Sequence, residues 1–117
     1  MDTIQSASGE RVRSIRDIRK LIASYDALLL YFSTPECQVC KALKPKVQHL
    51  LQHTFPHIQF RYVNLEHVPA AAAEFGVFTV PVILVYFRGK EVLRKARYLG
   101  LYELEFALSR LSDLYFD

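Results

Sequence analysis

Cys37 and Cys40 stand three residues apart in a chain of 117 residues that holds no other cysteine. A pair this close closes almost no loop, so it does little as a structural staple. Two chemistries suit it: reversible dithiol–disulfide exchange, or metal ligation. In exchange the nucleophile is a thiolate, and attack passes through a mixed disulfide. The setting of the pair favours that route. An apolar run, Ala27 to Phe32, breaks off at Ser33-Thr34-Pro35, and a helical pattern begins just after the cysteines. The order strand, tight turn, helix places both thiols at a helix's first turn, where unpaired amides and a partial positive charge lower a thiol pKa below ~8.5. Cys37, nearest the turn, is expected to attack. Cys40, one turn further in on the same face, is expected to be the buried resolving thiol.

The competing readings are weaker. Both cysteines could simply be small apolar residues, but spacing, position and context agree on more than that. A metal needs further ligands, and His49 and His53 are the nearest candidates. Cys40 and His49 are nine residues apart, which is roughly 13 Å along a helix rising 1.5 Å per residue. Zinc ligands must all lie within ~2.0–2.3 Å of the ion, so one chain cannot assemble a site from these four residues. A metal bridging the C-x-x-C pairs of two chains stays open as an alternative. His49, His53, His57 and His67 are read as surface or partly packed side chains.

The surrounding elements follow from periodicity. Ser14 opens a first helix with a capping-box pattern, its hydroxyl facing the Asp17 amide and the Asp17 carboxylate reaching back. Ile15, Ile18, Leu21 and Ile22 give that helix one apolar stripe, and it is expected to end near Tyr25-Asp26. Ala27 to Phe32 has no alternation, as expected of a central strand covered on both faces. The cysteine-bearing helix runs to about Thr54, with Pro45 inside it removing one backbone bond and predicting a kink. Ile58 to Leu65 alternates and reads as a second strand with Ile58, Phe60 and Tyr62 apolar. Pro69 to Phe75 is a short helix with Gly76 as its stop. Val82 to Phe87 is a third strand, and Arg88-Gly89-Lys90 turns it into an edge strand, Glu91 to Leu99. Gly100 breaks that strand. A last helix from about Tyr102 lines up Leu104, Leu108, Leu111 and Tyr115.

Strands joined through helices imply parallel pairing, and the closing hairpin is antiparallel. The expected fold is α/β: a central mixed four-stranded sheet with helices on both faces, with Thr3-Ile4-Gln5 a candidate short fifth strand. Residues 1–13 read as a flexible N-terminal segment and 14–117 as one domain. With 51% apolar and 23% charged residues the composition is that of an ordinary globular protein. The net charge of +3 is small and interleaved with acids, as in Arg16-Asp17-Ile18-Arg19, which argues against nucleic acid. The longest apolar run, Val80 to Phe87, is far short of the ~18 residues a membrane span needs. Charges run throughout Met1 to Asp26 without a clean apolar stretch, so no secretory leader is expected and the cytoplasm is the expected compartment.

Taken together, these residues resemble the thioredoxin family over roughly Ile15 to Leu114. The carriers are the strand Leu28-Leu29-Leu30-Tyr31-Phe32, the motif Cys37-Gln38-Val39-Cys40 with Lys41, and Pro45. Further on come Gly76-Val77-Phe78-Thr79-Val80-Pro81-Val82, Gly89 and Gly100. The resemblance implies the thioredoxin fold and a thiol–disulfide oxidoreductase acting on protein disulfides through the Cys37/Cys40 dithiol, in cell redox homeostasis. It implies no bound cofactor and no metal, with electrons from a thioredoxin reductase or a low-molecular-weight thiol. It also implies a cis-proline at Pro81 facing the cysteines, and a substrate groove formed by Val80, Pro81 and Gly100. Val80 would act through its backbone, pairing with an extended substrate.

Three positions depart from the family pattern. Glu36 replaces the usual Trp before the first cysteine, Gln38-Val39 replaces Gly-Pro, and Tyr31 replaces a buried acid six residues before Cys37. Glu36 disfavours a thiolate at Cys37. Lys41 and Lys44 either offset it or solvate the helix face. Tyr31 is either core packing or, through its hydroxyl, a participant in proton transfer near Cys40, for which a phenol of pKa ~10 is a poor base. These departures support an alternative: a thioredoxin-fold binding, adaptor or redox-sensing module with weak turnover.

Overall fold

The computed structural model describes residues 11–96 and 100–116. The candidate strand at Thr3-Ile4-Gln5 and the end of the last strand at Leu99 lie outside these. The element order is α1 (Ile15–Ser24), β1 (Ala27–Ser33), α2 (Gln38–Thr54), β2 (Gln59–Asn64), α3 (Ala70–Phe75), β3 (Val82–Phe87), β4 (Lys90–Ala96) and α4 (Leu101–Phe116). The strands form one four-stranded sheet in the order β2-β1-β3-β4.

β1 is buried along its whole length, as an apolar run without alternation requires. Its residues divide between two cores. Leu28, Leu30 and Phe32 meet Ile18 and Leu21 of α1 and Ala71 and Phe75 of α3 on one face. Ala27, Leu29 and Tyr31 meet Cys40, Val47 and Leu51 of α2 and Leu104 and Leu108 of α4 on the other. Burying a Leu-sized side chain is worth roughly 1.5–3 kcal/mol, so this strand is the main source of stability at the centre of the fold.

Three expectations need correction. β1 pairs with β2 in parallel but with β3 antiparallel, although a helix joins β2 to β3. The reason is length. α3 has six residues, about 9 Å at 1.5 Å per residue, whereas a six-residue strand spans about 20 Å. So short a helix cannot carry the chain back to the start of the sheet, and β3 starts at the end where β2 stops. The second correction concerns β2. Phe60 and Tyr62 pack only partly, against the α2/α4 core, and Arg61 between them is the more buried residue. The Arg61 guanidinium donates to the Tyr25 hydroxyl and the Phe60 carbonyl, each at 2.8 Å, so both faces of β2 are covered. In the third, Ser14 does accept from the Asp17 amide at 3.1 Å, but the Asp17 carboxylate reaches past Ser14 to the Arg13 amide at 2.7 Å.

Two turns depend on positive φ. Arg88 and Gly89 form a two-residue hairpin loop at φ 53° and 84°, the paired left-handed geometry that matches strand twist. Gly76 ends α3 at φ 68°. Arg94 of β4 donates to the Phe75 and Gly76 carbonyls at 2.9 and 3.1 Å and to Glu91 at 2.9 Å, so it closes the free end of α3 and fixes the start of the loop leading to β3. A Cβ at Gly76 would meet only the Arg94 guanidinium at 3.6 Å, an ordinary contact. Gly76→Ala is therefore expected to cost about 1–2 kcal/mol through the backbone alone, read as a shift of the urea midpoint with an unchanged slope.

Candidate dithiol–disulfide site

The site is built where β1 ends. Past Ser33 the chain turns through Thr34-Pro35-Glu36, closed by the Cys37 amide donating to the Thr34 carbonyl at 3.2 Å. Cys37 then caps α2: its Sγ accepts from the Cys40 amide at 3.1 Å, and its carbonyl accepts from the Lys41 amide at 3.1 Å. Cys37 and Cys40 are joined by a disulfide, with their Cα atoms 5.2 Å apart. The two sulfurs are unequal. Cys37 is half-buried, while Cys40 is only 1% exposed and belongs to the α2/α4 core.

Tyr31 lies beneath the pair. Its ring is fully buried, and its hydroxyl donates to the Cys40 carbonyl at 2.7 Å. Burial, and secondarily the neighbouring Tyr62, push its pKa up to about 12. At neutral pH it is a hydrogen-bond donor with no basic form, so its role here is to anchor the first turn of α2. Tyr62 stacks against it at 6.4 Å between ring centroids, and Phe60 packs beside it at 5.8 Å. The Lys44 ammonium sits 4.4 Å from the Tyr62 ring centroid, and burial pushes its pKa down.

Of the other residues singled out from sequence, Val80 is half-buried against the same core as Cys37 and Cys40, and the Val80–Pro81 bond is cis. Pro81 itself is buried. Gly100 is exposed immediately before α4, its carbonyl accepting from the Leu104 amide at 3.0 Å. His49 and His53 stack on each other at 3.9 Å on the exposed side of α2.

Two features were not foreseen. Glu66, which follows β2, lies near Glu36, the residue before Cys37. A hydrogen bond to Glu36 comes first among the causes that raise the Glu66 carboxyl pKa, followed by desolvation and like charge, with His67 opposing. Nothing in sequence brings these two acids together, because they lie on separate loops. The seating of Lys44 on Tyr62 likewise has no signal in sequence, because the ring lies on β2.

A buried strand ending in a capped C-x-x-C helix, with a cis-proline loop against the same core, defines a thioredoxin-fold dithiol protein. Comparison with known proteins agrees. A thioredoxin family model matches residues 15–106. Thioredoxin-like protein YdfQ of Bacillus subtilis is 36% identical over 104 residues, covering 89% of this chain and 92% of its own. A thioredoxin-like protein of Fusarium culmorum is 30% identical over 83 residues, 69% of each chain. Among solved structures, Fasciola hepatica thioredoxin superposes with a TM-score of 0.74 at 26% identity, covering 84% of this chain and 94% of that one. The chain belongs to the thioredoxin family.

The raised Tyr31 pKa makes a prediction with a definite sign. The native chain keeps the phenolic proton above pH 10.0, the ordinary value, where the unfolded chain has released it. The resulting stability is complete below pH 10.0 and is lost as pH climbs toward about 12. Tyr31→Phe should flatten this alkaline loss in melts taken across that range. Tyr86, also raised, chiefly by burial, should leave a residual slope in the variant.

Proposed function

We propose that the protein is a thiol–disulfide oxidoreductase that exchanges protein disulfides through Cys37 and Cys40. The observation that carries this reading is the asymmetry of the pair: one sulfur at the rim capping a helix, the other sealed in the core. Reduced, Cys37 would be held as a thiolate by the Cys40 amide that its sulfur already meets, and by the α2 terminus. It attacks the substrate disulfide and forms a mixed disulfide. Cys40 then attacks Cys37 Sγ, the bond to the substrate sulfur breaks, and the Cys37–Cys40 disulfide forms as the substrate leaves with two thiols.

A protein substrate is supported by two exposed apolar side chains. Val39, between the cysteines, is 64% exposed, and Phe78, ahead of Val80, is 77% exposed. Single exposed apolar side chains are unremarkable, but one between the cysteines and one in the loop leading to the cis-proline suit a polypeptide partner. In this reading Val80, through its backbone, with Pro81 and Gly100, would line the substrate groove. A thioredoxin reductase or a low-molecular-weight thiol would return electrons, in the cytoplasm and without a bound cofactor. Among the described residues no helix is long and apolar enough to cross a membrane.

The second reading, an adaptor or redox-sensing module with weak turnover, draws on Tyr31. The position where a carboxylate would assist Cys40 holds a phenol committed to a carbonyl. Turnover separates the two. Wild-type protein should reduce a protein disulfide with many turnovers per chain, Cys37→Ser should fall to background, and Cys40→Ser should accumulate a mixed disulfide. Alkylation of the reduced protein at neutral pH should label Cys37 well ahead of Cys40. Single-turnover behaviour in the wild type, or faster labelling of Cys40, would overturn the proposal.

A further inference from the structure

Resolution of the mixed disulfide, the second half of the proposed reaction on which this inference rests, requires Cys40 to lose its proton inside an apolar enclosure. Of the apolar and aromatic residues packed in the core around Cys40, Tyr31, Cys37, Tyr62 and Tyr115 are titratable. β3 contributes Ile83 and Val85 to it, and α4 contributes Leu104 and Leu108. Among the described residues the buried polar or charged side chains are Ser33 and Arg61, so no carboxylate or histidine is buried beside Cys40. Such surroundings disfavour a thiolate, and the Tyr31 hydroxyl is already spent on the Cys40 carbonyl.

Among the described residues two charges reach the edge of this enclosure: Arg88 over Phe116 at the end of α4, and Lys44 over Tyr62. Lys44 follows Cys40 by one helical turn, an i, i+4 relation that places Cβ atoms about 5–6 Å apart. Its ammonium lies 4.4 Å from the Tyr62 ring centroid, and Tyr62 stacks in turn on Tyr31. Lys44 is half-buried and takes part in no ion pair among the described residues. The other charges nearby face elsewhere. Lys41 is exposed, Glu36 meets Glu66, Glu103 is exposed at the start of α4, and Arg61 is bonded to Tyr25 from the neighbouring register of β2.

We propose that Lys44 is a positioning residue for the resolving step, its ammonium held on the Tyr62 face so that it stabilises the Cys40 thiolate. Cys40 gives its proton to solvent, and its electron pair goes to Cys37 Sγ as the bond to the substrate sulfur breaks. Lys44 keeps its own proton throughout. At an effective dielectric constant of ~20 and a separation of several ångströms, a unit charge is worth about one to two pKa units. Screening on the open side of Lys44 favours the lower figure, about tenfold.

The test uses the reduced Cys37→Ser protein, in which ultraviolet thiolate absorbance titrates Cys40 whether or not the protein turns over. Lys44→Met should raise the Cys40 pKa by about one unit, Lys44→Arg should restore it, and Lys41→Met should leave it nearly unchanged. In otherwise wild-type protein, Lys44→Met should slow resolution of a preformed mixed disulfide about tenfold at neutral pH. The initial attack by Cys37 should remain within about twofold. A Cys40 pKa indifferent to Lys44→Met, or moved equally by Lys41→Met, overturns the inference. Absence of disulfide reduction by the wild type instead overturns the exchange reading.

Discussion

The bond from the Tyr31 hydroxyl to the Cys40 carbonyl is the constraint on which the site depends. It ties the middle of the most deeply buried strand to the first turn of α2. A buried phenol left without a partner costs about 1–3 kcal/mol, so the helix start is held where that hydroxyl can be satisfied. Cys40 is drawn into the core with its carbonyl. Cys37, three residues earlier, is left at the rim as the helix cap. The unequal exposure of the two sulfurs, which makes directional exchange reasonable, is thus a consequence of packing beneath the motif as much as of the motif itself.

The same packing sets the electrostatic problem. Wherever the α2/α4 core seals Cys40, it also excludes water that would solvate a thiolate. A carboxylate in place of Tyr31 would bring a proton acceptor but would itself have to be desolvated. Tyr31 takes the other course, trading assistance to the thiol for a well-satisfied core, with stacked Tyr62 and Phe60 extending it. Outside the core, the proximity of Glu36 raises the Glu66 carboxyl pKa, through hydrogen bonding first and like charge as well.

Most of the frame was legible in the chain because each signal was local. Ala27 to Phe32 reads as a buried strand from its lack of alternation alone, and the Cys37–Thr54 stretch reads as a helix with both thiols at its start. Gly76 and Arg88-Gly89 announce their turns because positive φ restricts residue choice. What escaped was set by distance. The antiparallel course of β3 follows from the shortness of α3 measured against the sheet, which no periodicity reports. Arg61 looks like the solvent side of an alternating strand until Tyr25 arrives to cover it. Lys44 reads as an ordinary solvated lysine, because its partner Tyr62 lies on a different element. The Glu36–Glu66 contact likewise joins two loops separated by a helix and a strand.

The central claim, that Cys37–Cys40 is a working redox couple and not an inert crosslink, is tested most directly by titrating the pair against defined thiol–disulfide buffers. Reversible exchange predicts one two-electron transition with a midpoint between about −270 and −120 mV, the span of dithiol oxidoreductases. A midpoint below about −300 mV, where structural disulfides lie, or a pair that fails to equilibrate with the buffer, would contradict it.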